Sequence, residues 1–197
     1  MKILKNIFVS FCILFILINN SWSKSASEFI NTLSTEASNI LSSKLSENEK
    51  IKRLKEIGEK SVDIEGVGFY TLGKYRKTLT DSQKKQYKEL FKDYFLKSFS
   101  GRLVGYTDAK IAVLSEEIKN EKYTIVNSKL IGTSERPEVK INWRVYTKDP
   151  ENPLIRDLVI EGLSLARTQK EEFDSIISNN DGNIEALFEN LNKFIEN

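Results

Sequence analysis

The stretch Asp157–Phe173, DLVIEGLSLARTQKEEF, carries the most chemistry-like spacing in the chain: Ser164 two residues after Gly162, where an apolar strand pattern turns into a helical one. A serine at such a corner resembles the start of a nucleophile elbow. The motif is incomplete, however, because Ala166 stands where the second glycine of G-x-S-x-G belongs. Serine hydrolysis also needs a base to take the hydroxyl proton, usually histidine, and the chain has none. Ser164 is therefore expected to cap free backbone donors at a strand-to-helix corner. Acid–base pairs can be drawn at Glu116–Glu117, Glu171–Glu172 and Asp157/Glu161. Only Asp157 and Glu161 stand in strongly apolar sequence, where burial would raise a carboxyl pKa. Four apart, these two share a strand face, which is either a pocket wall or solvent-facing. Metal chemistry has less to work with: no histidine, a lone Cys12, and a loop, NNDGN, with too few oxygens for calcium.

The first residues remove even that cysteine. Lys2 and Lys5 precede an apolar run, Ile7–Ile18, and Ser21 and Ser23 occupy the −3 and −1 positions of a cleavage site. This is the layout of a secretory signal peptide, and the run is short of the roughly 20 residues that span a bilayer. Phe11 before Cys12 rules out a lipoprotein processing site. Residues 1–23 are expected to be the leader and residues 24–197 a single domain. Cleavage leaves no thiol, and losing Lys2 and Lys5 leaves 28 basic residues against 28 acidic ones. A balanced, interspersed charge gives no case for nucleic acid or for standing attachment to anionic lipid. A soluble, exported, monomeric domain of about 174 residues with a sizeable core is expected.

The elements that must position any site follow from periodicity. Phe29, Ile30, Leu33, Ala37, Ile40 and Leu41 mark an amphipathic helix over 27–43. A second helix starts at Ser46, with Glu49 three residues on and Ile51, Leu54 and Ile57 on one side. DIEGVGFYTLGKYRK (63–77) carries Gly66, Gly68 and Gly73, each costing roughly 1 kcal/mol in a helix. The glycines there serve close approach of a backbone or ligand, or the segment is a broken helix. Thr80 and Gln83 announce the longest helix, with Tyr87, Leu90, Phe91, Tyr94, Phe95 and Leu103 at three- and four-residue steps. After Asp108 the period becomes two. AKIAVLSEEI, EKYTIVNSKLIG, EVKINWRVYTK and PLIRDLVIEG read as four antiparallel strands. In the third, Val139, Ile141, Trp143 and Val145 share one face and Lys140, Asn142, Arg144 and Tyr146 the other. Pro137, Pro150 and Pro153 fall at strand ends. Two helices close the chain, Ser164–Ser178 and Asn183 to about Glu196. The fold class is α+β: a curved four-stranded antiparallel sheet packed against N-terminal and C-terminal helices. Its apolar side chains either fill a closed core or line a cavity, and composition does not separate the two.

Several stretches in order resemble the MlaC family, also called the toluene-tolerance auxiliary family. DIEGVGFYTLGKYRKTLTDSQKKQYKELFKDYFLKSFSGRL is similar to its central block through Asp63, Leu72, Gly73, Tyr75, Arg76, Phe91, Tyr94, Arg102 and Leu103. INWRVY resembles its Asp/Asn-Trp-Arg strand, and Asp157, Glu161, Gly162 and Ser164 its Asp-x-x-x-Glu-Gly-x-Ser block. Departures are Lys170 in place of arginine, and Gly66 and Gly68 in place of helix formers. The resemblance implies an NTF2-like cone with an apolar cavity, located in the periplasm. It implies a carrier that shuttles phospholipid between an outer-membrane lipoprotein–porin complex and an inner-membrane ABC transporter with its lipid-binding subunit. It needs no cofactor beyond the lipid it transports. Periodicity and resemblance together assign the lipid-contacting walls to Phe69, Leu72, Tyr75, Phe91, Tyr94, Phe95, Leu103, Val126, Ile141, Trp143, Val145, Leu158, Ile160 and Leu163. Arg76, Arg102 and Arg144 are candidates for the headgroup phosphate or for structural ion pairs. The alternatives are an enzyme on the same cone using Asp157 or Glu161, and a ligand-free module acting through protein contacts.

Overall fold

The computed structural model describes residues 25–134 and 136–197; the expected leader and its cleavage site lie outside them. Helix α1 (Ala26–Ser42) begins where the Ser25 hydroxyl accepts from Glu28 N at 3.0 Å. A second first-turn donor, Ser27 N, reaches the Glu116 carboxylate at 2.7 Å. Two of the free N–H groups at the helix start are thus satisfied, and a negative charge sits at the positive end of the helix dipole. A four-residue turn leads to α2 (Glu47–Ser61), capped by Ser46 as its spacing implies.

The glycine-rich segment is a helix broken at Gly73: α3 (Ile64–Thr71) runs unbroken through Gly66 and Gly68, where the close approach is made by side chains of the protein itself. A Cβ on Gly66 would stand 2.3 Å from Asp63 Oδ2, and one on Gly68 2.7 Å from the Phe91 ring. Asp63 occupies that space because its carboxylate works twice. Oδ1 accepts from Gly66 N at 2.9 Å, and Oδ2 from Arg156 Nε at 2.6 Å, which ties the start of α3 to the sheet. A single 3-10 turn (Gly73–Lys77) follows, opened by Gly73 at φ +54°, with the Lys170 side chain laid over its bare Cα. Helix α4 (Asp81–Leu103), 23 residues long, starts from the Thr80/Gln83 capping box.

The strands are β1 (Ile111–Asn120), β2 (Tyr123–Leu130), β3 (Val139–Tyr146), β4 (Leu154–Ile160) and β5 (Leu163–Ser164). They lie side by side in chain order, every neighbour antiparallel. The sequence indicates four strands; the fifth arises because Glu161 and Gly162 both take positive φ, 49° and 85°. That is the backbone of a two-residue hairpin turn whose twist matches the strands. It folds Leu163 back against Ile160 and Ser164 against Val159. The alternation in β3 holds: Ile141, Trp143 and Val145 are buried, while Lys140 and Arg144 are exposed. Helices α5 (Leu165–Ser178) and α6 (Ile184–Glu196) complete the α+β fold.

Buried apolar side chains gather in three clusters. One is helical, built by α3, α4, α5 and α6 around Tyr87, Phe91, Phe173, Phe188 and Leu191. One joins α1 to the sheet through Ala26, Ile30, Val126, Trp143, Val145 and Ile155. The third, Ile40, Leu41, Leu54 and Ile57, closes the turn between α1 and α2.

Candidate functional site

The Ser164 corner is a helix start. The Ser164 hydroxyl donates to Asp157 Oδ2 at 2.7 Å and accepts from Arg167 N at 3.1 Å. Asp157 Oδ1 accepts from Ala166 N at 3.0 Å, and Arg144 Nη1 stands 3.7 Å from Oδ2. Both carboxylate oxygens are therefore committed to holding the first turn of α5 against β4. Glu161 does not share the strand face expected of it. It sits exposed in the hairpin turn, where its carboxylate accepts from Lys140 N. Glu116 is engaged at the start of α1. Replacing Asp157 with asparagine leaves one oxygen for two donors. A hydrogen bond to a charged group contributes about 1.5–3 kcal/mol, so Asp157→Asn is expected to lower the unfolding midpoint by roughly 3–12 °C. Thermal unfolding checks this, and an unmoved midpoint would contradict the capping role.

The larger feature is a cleft between α1 and α2, and it exists because the two helices are docked to different layers. Helix α1 lies on the sheet through Ala26 and Ile30. Helix α2 lies on α4: Gly58 is bare where a Cβ would come within 3.1 Å of Leu96 and 3.2 Å of Phe99, and Lys92 pairs with Glu59 at 2.6 Å. The helices meet at their connecting turn, where Lys50 Nζ donates to Leu41 O at 2.8 Å, and diverge from it. The space between them is about 660 Å³. Phe29, Leu33, Ile40 and Ile57 supply its apolar surface, and Glu36, Glu49, Arg53, Glu56 and Lys60 its charges; Thr32, Asn39, Ser43, Leu45 and Ser61 complete the lining. From Phe29 to Ser43 the groove follows α1 for about 21 Å at 1.5 Å per residue. A lipid tail reaches across half of a hydrocarbon core about 30 Å thick. One wall of the cleft is thus long enough to lie along an acyl chain.

The residues assigned to the walls from sequence lie outside this cleft. Phe69, Leu72, Tyr75, Phe91, Tyr94 and Phe95 belong to the helical cluster. Val126, Ile141, Trp143, Val145 and Leu158 belong to the cluster of α1 and the sheet. Leu103 packs beside the α1–α2 cluster, Ile160 is half-buried on β4, and Leu163 is 69% exposed at the hairpin. None of the fourteen lines the cleft. The three arginines are not brought together at one mouth. Arg76 precedes the start of α4 and Arg102 ends it, about 30 Å apart along a helix of that length. Arg144 lies on β3 facing Asp157. Residues that do line the cleft, Phe29, Leu33, Ile40 and Ile57, are legible in the sequence as helix stripes. Ile40 and Ile57 remain part of the buried α1–α2 cluster, whereas Phe29 and Leu33 are half-buried because α2 docks on α4. Among the described residues, no group of three acidic, histidine or cysteine side chains could hold a metal, and no helix is long and apolar enough to cross a membrane.

Comparison with known proteins gives two positive findings. The family model described as MlaC protein matches residues 28–193. Among solved structures, the chain is similar to a phospholipid-binding protein from Ralstonia solanacearum determined in complex with a phospholipid. The TM-score is 0.72 at 18% identity, covering 88% of this chain and 98% of that one. No curated protein gives a significant match.

Proposed function

This chain belongs to the MlaC family, and from that premise we propose that it is a soluble periplasmic carrier of phospholipid. It takes acyl chains into the cleft between α1 and α2 and leaves the headgroup wet at the charged rim. The lipid would travel between an outer-membrane lipoprotein–porin complex and an inner-membrane ABC transporter with its lipid-binding subunit. The observation that carries this reading is the cleft itself: apolar along Phe29, Leu33, Ile40 and Ile57, and about 660 Å³ in volume. That size falls within the roughly 300–1,000 Å³ of small-molecule sites.

The energetics state what such a carrier must supply. Each methylene exposed to water costs about 0.8 kcal/mol, so two sixteen-carbon tails represent on the order of 20 kcal/mol. A lipid crosses an aqueous compartment quickly only inside a surface that replaces the bilayer. The two walls are anchored separately, α1 to the sheet and α2 to α4, and joined to each other at their connecting turn. No bond is made or broken in this cycle, so the work is done by apolar area and shape.

Native mass spectrometry of the exported protein is expected to show phospholipid at near one per chain. A position-sensitive readout is also available. With residues 1–23 removed, Trp143 is the remaining tryptophan, and it shares a cluster with Phe29 and Leu33. Lipids with brominated tails are expected to quench its fluorescence, while headgroup-labelled quenchers act weakly. Protein that is consistently empty and takes up no lipid from vesicles would overturn the reading.

A further inference from the structure

We infer that the rim of this cleft selects zwitterionic headgroups bearing an ammonium group over anionic headgroups; the inference rests on the carrier reading above. The rim holds three carboxylates, Glu36, Glu49 and Glu56, against two cations, Arg53 and Lys60. One pair is internally neutralised, since Arg53 Nε bonds Glu49 Oε1 at 3.2 Å. Glu36, Glu56 and Lys60 are exposed, and no ion pair among the described residues engages them. They are the charges left for a ligand.

Their arrangement fits a headgroup that carries both signs. Glu56 and Lys60 are four residues apart on α2, so their Cβ atoms stand about 5–6 Å apart on one face. Lys60 can take the phosphate while Glu56 accepts from an ammonium at the end of a short ethanolamine arm. Glu36, on the opposing helix α1, adds a second carboxylate. An anionic headgroup such as phosphatidylglycerol also finds Lys60, but it brings uncompensated negative charge beside two carboxylates, and like charges across an interface disfavour binding. A quaternary choline keeps the charge and loses the donated hydrogen bonds, so it ranks between the two.

The test loads the exported protein from vesicles of equal phosphatidylethanolamine, phosphatidylcholine and phosphatidylglycerol, then extracts and quantifies the bound lipid. The expected result is ethanolamine lipid enriched about five- to tenfold over glycerol lipid, a free-energy difference of roughly 1.0–1.4 kcal/mol. Glu36→Gln with Glu56→Gln changes two exposed side chains. It is expected to bring that ratio within about twofold of the vesicle's, a difference under roughly 0.4 kcal/mol, whatever the total lipid bound. A wild-type ratio equal to the vesicle's, or a ratio the double variant does not move, with lipid still near one per chain, overturns the selectivity and leaves the carrier reading standing. Protein that stays empty overturns both.

Discussion

Truncating Phe91 to alanine is expected to destabilise the protein by about 3–5 kcal/mol, and the fraction that stays folded is expected to load lipid as before. Phe91 is 2% exposed at the centre of an aromatic cluster. Its ring stands 5.7 Å from Tyr87, 6.2 Å from Tyr94 and Phe95, and 6.3 Å edge-on to Phe173. The fourth side is the bare Cα of Gly68. A ring so enclosed leaves a void when removed. The backbone of α3 cannot collapse into it, because Gly68 O already accepts from the Thr71 and Tyr87 hydroxyls at 2.7 and 3.1 Å. At roughly 2–4 °C per kcal/mol for a chain of this size, the midpoint falls by about 6–20 °C. The same variant decides between core and cavity wall. If Phe91 touched acyl chains, its loss would empty the protein while stability barely moved, and that outcome would return the helical aromatics to the lipid site.

Much of the fold was open to reading because local chemistry agrees with tertiary placement. Ser46, Thr80 with Gln83, and Ser164 cap the helices that their spacing announces. The alternation in β3 survives, with Ile141, Trp143 and Val145 buried and Lys140 and Arg144 exposed, because a one-residue slip would turn every apolar side chain outward. The fifth strand stayed hidden, since it depends on Glu161 taking the left-handed conformation next to Gly162, and only the glycine advertises it. The site was harder. Periodicity shows that one side of a helix is buried and not what it is buried against. The Tyr87–Phe91–Tyr94 stripe of α4 is answered by Phe173, Phe188 and Phe194 from α5 and α6, and a stripe met by another stripe makes core. Phe29 and Leu33 look the same in sequence, yet α2 turns from them toward α4. The signal for that departure is Gly58, the one position on α2 bare enough for Leu96 and Phe99 to come close.

A carboxylate on the apolar surface of the cleft, placed by Leu33→Asp, is expected to reduce bound lipid at least tenfold. Leu33 is half-buried, lines the cleft and packs beside both the sheet-side and the turn-side clusters. In the empty protein the new carboxylate is wetted by the groove, so folding loses only part of a leucine's burial, about 1–2 kcal/mol. Loading lipid is different, because a tail laid over the carboxylate strips its water. Of the two rim cations, Arg53 is already bonded to Glu49, and Lys60 stands exposed to water. An unpaired buried charge costs several kcal/mol, and each 1.4 kcal/mol is a factor of ten in affinity. Leu163→Asp is the matched control: Leu163 is 69% exposed on the Glu161–Gly162 hairpin, and its replacement is expected to leave lipid near one per chain. Lipid counting by native mass spectrometry on both variants separates the two surfaces. Emptying by Leu163→Asp with full loading of Leu33→Asp would move the tails from the α1–α2 cleft to the far edge of the sheet, because a charge can expel only the chain that must cover it.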